Sequence, residues 1–172
     1  MTKNFYITTA IDYPNGSPHM GHALEKIASD AYARWYKFLG YNSYFLTGTD
    51  ENGQKLLESA KAEGLSTKEY VDANSAKFKK LCLDLNVSNN DFIRTTEERH
   101  HHVCNELWKK LETKGDIYFG VYSGQYCLAC ESFYTETQAP ENVCPAHGKP
   151  LTLKEEEGYF FKMSSYQEWI IA

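Results

Sequence analysis

Hydrophobic and polar positions fall into two regimes along the chain. Phe5-Tyr6-Ile7-Thr8-Thr9-Ala10 is rich in aromatic and β-branched residues and predicts a buried strand. Asp12 to Pro18 is crowded with turn formers and predicts a loop. Leu24, Ile27, Ala28, Ala31, Trp35, Phe38 and Leu39 then recur at spacings of three and four, which predicts a helix with one core-facing stripe, ended by Gly40. Ser43–Thr47 predicts a second strand and Gln54–Glu63 a short helix. Ser66-Thr67-Lys68-Glu69 is a capping-box pattern that opens another helix to about Leu85. Asp91–Thr95 is a candidate third strand. Thr96–Lys114 reads as a helix with Val103, Leu107 and Leu111 inward, closed by Gly115. Strand and helix in alternation imply an α/β fold with a parallel sheet.

The pattern changes after Gly115. Ile117–Tyr126 suggests short strands in a hairpin, a cysteine-rich stretch follows, and Tyr159-Phe160-Phe161 is a further strand. From Ser165 a helix is expected to run to Ala172. This places a domain boundary near residue 115, with domains at 1–115 and 116–172.

Composition narrows the function classes. The 172 residues are 42% hydrophobic and 24% charged, as in a globular protein, and 18 basic against 23 acidic residues give a net charge of −5. The longest like-charged run is Glu155-Glu156-Glu157, which argues against a basic nucleic-acid clamp while leaving local RNA contact open. No apolar stretch approaches the ~18 residues of a membrane span. The start at Met1-Thr2-Lys3-Asn4 leaves no room for a signal peptide. Five cysteines without a secretory signal read as cytoplasmic thiols or metal ligands.

His19-Met20-Gly21-His22 stands where the first loop turns into a helix. A helix N-terminus offers unpaired N–H groups and the positive end of a dipole, which suits phosphate. Gly21 lets a ligand approach the backbone. Two histidines three apart face one side and can donate hydrogen bonds to phosphoryl oxygens. Taken alone, H-x-G-H is more often only a helix start.

The surrounding segment, Thr8 to His22, resembles the first signature of class I aminoacyl-tRNA synthetases, with Met for the usual Ile. Phe45-Leu46-Thr47-Gly48-Thr49-Asp50-Glu51-Asn52-Gly53-Gln54-Lys55 is similar to the T-G-T-D-E-H-G-Q-K segment of the methionyl-tRNA synthetases, and Asp91–Thr96 is also similar to that family. The resemblance covers essentially the whole chain. It implies the first half of a Rossmann-like catalytic fold plus part of a zinc-bearing insertion, belonging to the N-terminal part of a larger enzyme. The implied reaction joins L-methionine and ATP, with Mg, to give methionyl-adenylate, and then charges tRNA(Met). His19, Gly21 and His22 would bind ATP, the two histidines as catalytic groups. Ala10, Ile11, Tyr13 and Asp50 would bind methionine, Asp50 holding the ammonium. For Ile11 and Tyr13 core packing is the plain alternative, and for Asp50 a helix N-cap. Two positions depart from the family pattern: Asn52 replaces His, and Asp12 stands where Tyr or Pro is common.

Cys127-Leu128-Ala129-Cys130 is C-x-x-C and Cys144-Pro145-Ala146-His147 is C-x-x-H, with thirteen residues between. Paired knuckles of this kind supply four ligands for a tetrahedral, structural zinc. A Cys127–Cys130 disulfide would leave Cys144 and His147 unexplained. Three features carry no such expectation. His100-His101-His102 splay apart on a helix. Cys82 and Cys104 read as core. Lys162-Met163-Ser164-Ser165 resembles the family's second signature but follows a strand of the insertion rather than the second half of the fold. Two other readings remain: a different class I nucleotidylyl transferase, and a non-catalytic zinc module that contacts RNA or protein.

Overall fold

The computed structural model describes residues 3–171; Met1, Thr2 and Ala172 lie outside the described residues, and with them the first two residues of the expected leaderless start and the expected helix end at Ala172. Three strands, β1 (Asn4–Thr8), β2 (Asn42–Thr49) and β3 (Asp91–Arg94), form a parallel sheet in the order β1-β2-β3. Helix α1 (Met20–Phe38) connects β1 to β2 and packs on both, while α2 (Gln54–Ala62) and α3 (Thr67–Asp84) connect β2 to β3 and pack on each other. Each connection is long enough for the crossover that parallel pairing demands. The expected capping box at the head of α3 is present: Ser66 accepts from Glu69 N and Glu69 accepts from Ser66 N.

The chain then continues through α4 (Glu98–Lys114) into an antiparallel sheet of β4 (Ile117–Cys127), β5 (Ser132–Tyr134) and β6 (Thr152–Phe161), ordered β5-β4-β6. A 3-10 turn (Met163–Tyr166) and α5 (Gln167–Ile171) follow. The expected hairpin of short strands is instead one long strand. β4 pairs over its length with β6, from Ile117↔Phe161 to Tyr126↔Thr152, so its partner lies beyond the cysteine-rich stretch. Two compact units result, Met1–His101 and His102–Ala172. The division falls within α4, whose C-terminal half packs through Trp108 against Tyr159 of β6.

In the first unit β2 is central, and Phe45, Thr47 and Thr49 are fully buried. β1 is the sheet edge among the described residues, so the expected buried strand is half exposed, with Tyr6 at 60%. Gly48 is a packing requirement: a Cβ there would sit 2.0 Å from the carbonyl oxygen of Ile93 on β3. No side chain fits between these strands.

The larger correction concerns α1. The stripe Leu24, Ile27, Trp35, Phe38 and Leu39, expected to face the core, is exposed, and the buried positions are Ala23, Lys26, Asp30 and Ala33. This face sets two alanines beside two charges, and both charges are paired. Lys26 Nζ, fully buried, lies 2.7 Å from Asp12 Oδ2 and 3.4 Å from Thr9 Oγ1, and the Thr9 hydroxyl lies 2.7 Å from that of Thr47. Asp30 accepts from Arg34 Nε and from the backbone and hydroxyl of Ser88, tying α1 to the loop after α3. In α4, Val103 and Leu107 are likewise exposed rather than inward, as is Cys104, whereas Cys82 is buried as expected.

Burial of a charge is tolerated only with its partner in place. Lys26→Met alone should therefore destabilise the first unit by about 3–5 kcal/mol, and Asp12→Leu combined with Lys26→Met should recover most of that loss. Urea unfolding of the two variants measures the difference. Equal destabilisation would show that the pair itself is not what matters.

Candidate functional site

The head of α1 is organised by its own histidines. His19 is the N-cap in extended conformation, and its Nδ1 accepts from Gly21 N at 3.1 Å. His22 Nδ1 accepts from His19 N at 3.0 Å, closing a reciprocal cap. The rings lie 3.8 Å apart, centroid to centroid, and His22 also meets the edge of Phe78 at 5.0 Å. Because both Nδ1 atoms accept N–H bonds, each neutral ring carries its proton on Nε2. The histidines therefore present two Nε2–H donors from the first turn. Burial lowers the His22 pKa, outweighing the nearby Asp12 carboxylate, and so favours the neutral ring. The absence of a side chain at Gly21 keeps this packing possible: a Cβ would press on the His19 ring at 2.9 Å.

The loop before this turn lies against the end of β2. Asp12 extends the pairing of β1, donating its N–H to Gly48 O and accepting from Asp50 N, both at 2.8 Å. Asp50 follows β2 directly and is half-buried, and its carboxylate accepts from Asn52 N at 3.3 Å. It caps no helix, since the N-cap of α2 is Gly53. Ala10 and Ile11 are exposed, with Ala10 N donating to Glu25 Oε1. Tyr13 packs against the cluster of Leu56, Ala60, Tyr70 and Val71, so its side chain has a core role as well. All seven expected residues of this site lie on the loop and helix turn after β1 or at the carboxyl end of β2, where open α/β sheets bind ligands.

Three supporting groups escape a reading of motifs. Asp12 and Lys26 are one. The second is Glu51, whose buried carboxylate accepts from Arg94 Nε at 2.6 Å and Arg94 Nη2 at 2.9 Å, from the Thr49 hydroxyl at 2.8 Å and from the Thr96 hydroxyl at 2.5 Å. Arg94 also reaches Asp72. This network joins the segment after β2 to the end of β3 and lines a cavity of about 490 Å³, whose wall includes Asn52. A Thr-rich stretch beside an acidic residue and a distant Arg was the available signal. The third is Tyr134, in the second unit.

There Cys127, Cys130, Cys144 and His147 place their ligand atoms within 4.8 Å of one another. Among the described residues this is the group of three or more His, Cys, Asp or Glu side chains placed to hold a metal; His100, His101 and His102 form none. Cys130 Sγ lies 3.5 Å from Cys144 Sγ and 3.1 Å from His147 Nδ1, and Cys144 Sγ lies 3.6 Å from His147 Nδ1. Tetrahedral zinc bonds of ~2.3 Å to sulfur and ~2.0 Å to nitrogen would put such atoms roughly 3.5–3.8 Å apart, so the cluster fits a metal. No disulfide joins these cysteines. Both knuckles close on a left-handed residue, Glu131 after Cys130 and Gly148 after His147. Burial would push the Cys144 thiol up, but bonds with His147 and Cys127 bring it down, to about 6, as a thiolate ligand needs.

No helix among the described residues is long and apolar enough to cross a membrane. Residues 5–150 match the family described as "tRNA synthetases class I (M)". The methionine–tRNA ligase of Brucella suis biovar 1 is 46% identical over 98% of this chain, and that of Rhizobium meliloti is 47% identical over 99%. The solved structure of Mycobacterium tuberculosis methionyl-tRNA synthetase in complex with methionyl-adenylate superposes with a TM-score of 0.91 at 42% identity, over 99% of this chain. The chain spans about a third of each relative, 34% in all three cases.

Glu51 generates a pH prediction. Burial alone would raise its pKa, but bonds from Arg94, Thr96 and Thr49 hold it below its ordinary value of 4.5. The stability that its ionised form contributes is complete above the unfolded-state pKa and is lost as pH falls through the lower folded value. Glu51→Gln should lower Tm at pH 7 and flatten the fall of Tm as pH drops below about 4.5. Thermal unfolding across that range checks both signs.

Proposed function

The chain belongs to the class I tRNA synthetases of the M family, and on that premise we propose that it is the amino-terminal portion of an enzyme that activates L-methionine with ATP and then charges tRNA(Met). The observation that carries this reading is the reciprocal histidine cap at the head of α1, which leaves both Nε2 atoms as donors, together with the pairing of Asp12 to Asp50 at the end of β2. In the first step the methionine carboxylate attacks the α-phosphorus of ATP. A carboxylate–phosphorus bond forms, the bond to the β-phosphate oxygen breaks, and pyrophosphate leaves with its electron pair. The nucleophile is already ionised, so no strong base is required, and positioning and charge stabilisation dominate.

His19 and His22 serve as the donors to the phosphates, and Gly21 leaves space for the nucleotide. Asp50 holds the methionine ammonium, while Ala10, Ile11 and Tyr13 border the side chain. Magnesium accompanies ATP and neutralises its phosphate charge. Cys127, Cys130, Cys144 and His147 hold one structural zinc, whose role is to fix the knuckles. We take 1–115 as the first half of the nucleotide-binding domain and 116–172 as part of an insertion, working in the cytoplasm. The two other readings are less well supported: a stand-alone zinc module leaves the match over the parallel-sheet unit unaccounted for, and a different nucleotidylyl transferase leaves the knuckles unaccounted for.

The exposed stripe of α1 and the edge of β1 are the surfaces we assign to the remaining two-thirds of the enzyme. The chain of 172 residues alone should therefore show no methionine-dependent ATP–pyrophosphate exchange above background. In the complete polypeptide, His19→Ala and His22→Ala should each slow adenylate formation by about 10²–10³, the loss typical of one positioned donor. A raised KM for ATP with unchanged kcat would contradict that role, and robust exchange by the 172 residues would contradict the division of the site.

Metal analysis should give one zinc per 172-residue chain. Cys130→Ala should abolish binding and loosen the second unit, while the parallel-sheet unit stays folded. A zinc-free chain whose Cys127 and Cys130 form a disulfide in reducing buffer would contradict the assignment.

A further inference from the structure

The three sulfurs of the knuckle site are unequally protected. Cys127 and Cys144 are buried, at 3% and 0% exposure, whereas Cys130 is only partly covered. A metal-bound thiolate that faces water is where a competing ligand or a proton enters, so retention of the metal depends on what shields Cys130. One polar group is placed to do so. Tyr134 Oη lies 3.3 Å from Cys130 Sγ, and 3.8 Å from Cys144 Sγ.

The position of that hydroxyl is built in. β5 leaves the first knuckle directly, with Ser132 paired to Cys127 and Tyr134 paired to Gln125 of β4. The Tyr134 ring packs against the cluster of Cys127, Ala139, Cys144 and Leu151. Ser132 Oγ donates to the carbonyl of Cys130 at 3.0 Å, fixing the backbone between the two. A side chain held by a strand and a packed ring loses little further entropy when it donates. Thiolates accept only, so with a metal bound the single phenolic proton has Cys130, the nearer sulfur, as its acceptor.

We propose that Tyr134 is a positioning residue of the metal centre, donating from its hydroxyl to the Cys130 thiolate and so retarding loss of the metal through the one partly exposed sulfur. This rests on the reading of the cluster as a zinc site. The ligands alone satisfy the coordination number, and the hydroxyl acts on the sulfur rather than on the metal. It orients the Cys130 lone pairs and disperses part of the sulfur's charge, which makes that sulfur a poorer target for protons and competing electrophiles.

The test compares zinc-loaded wild-type chain with Tyr134→Phe, which keeps the ring and removes only the hydroxyl. Competition with a chromophoric chelator gives the zinc Kd and the release rate. Loss of an outer partner of a metal ligand typically weakens binding by about 10–100-fold, and that weakening is expected here, with faster release and an unchanged circular dichroism spectrum. If the wild type binds one zinc and Tyr134→Phe matches it within twofold, the role of Tyr134 is overturned and the zinc site stands. If the wild type binds no zinc, both readings fall. Should Tyr134→Phe not fold, wild-type chain loaded with ¹¹³Cd decides the matter by NMR. A scalar coupling between the metal and the Tyr134 hydroxyl proton supports the bond, and its absence with a resolved hydroxyl proton overturns it.

Discussion

Asp12 ties three elements together at one point. Its backbone N–H donates to Gly48 O and its carbonyl accepts from Asp50 N, which fastens the loop after β1 to the end of β2. Its carboxylate faces the ammonium of Lys26 at 2.7 Å, which fastens the same loop to α1. Burial pushes the Asp12 carboxyl up from its usual value, so the Lys26 charge is what favours the ionised form. Everything proposed to touch ligand lies within a few residues of this junction: Ala10, Ile11 and Tyr13 on the loop, His19, Gly21 and His22 where the loop becomes helix, and Asp50 after β2. The site is arranged by backbone pairing and one buried charge pair, which hold it before any ligand arrives. Such preorganisation is what electrostatic stabilisation of a transition state requires.

The two histidines extend the same logic to the donors. A histidine free in solution samples both tautomers, and its charged form is a different donor altogether. Here the reciprocal cap fixes the protons on Nε2 by occupying both Nδ1 atoms. The cap uses one edge of each ring, and the opposite edge carries the Nε2–H donors that we assign to the phosphates. The cap satisfies two backbone N–H groups at the helix start, as a Ser–Glu capping box would, and each imidazole keeps its Nε2–H as a further donor.

Much of this was legible in the sequence. The order of strands and helices, the capping box at Ser66 and the knuckle ligands all follow from local spacing, because turns, caps and metal ligands are chosen by residues near in sequence. What misled was the assumption that an apolar stripe faces the core. On α1 the stripe of Leu24, Ile27, Trp35 and Phe38 is exposed, while Lys26 and Asp30 are buried. Periodicity reports which face is apolar, not which partner covers it, and a chain that spans 34% of its relatives has more than one place for an apolar face to go. The partners of Lys26 and Glu51 were illegible for a different reason: Asp12 and Arg94 lie 14 and 43 residues away, and only the fold brings them together. Gly48 likewise looks like an ordinary turn residue until the Ile93 carbonyl is seen against it.

The central claim is that the fold, without ligand, holds His19 and His22 as Nε2–H donors. Long-range ¹H–¹⁵N correlation spectra of the ¹⁵N-labelled chain at pH 8 read this directly, because the two ring nitrogens of each histidine resonate apart according to which is protonated. The expected result is a protonated Nε2 and an unprotonated, hydrogen-bonded Nδ1 for both residues. Averaged tautomers, or a proton on Nδ1, at either signature histidine would contradict the account.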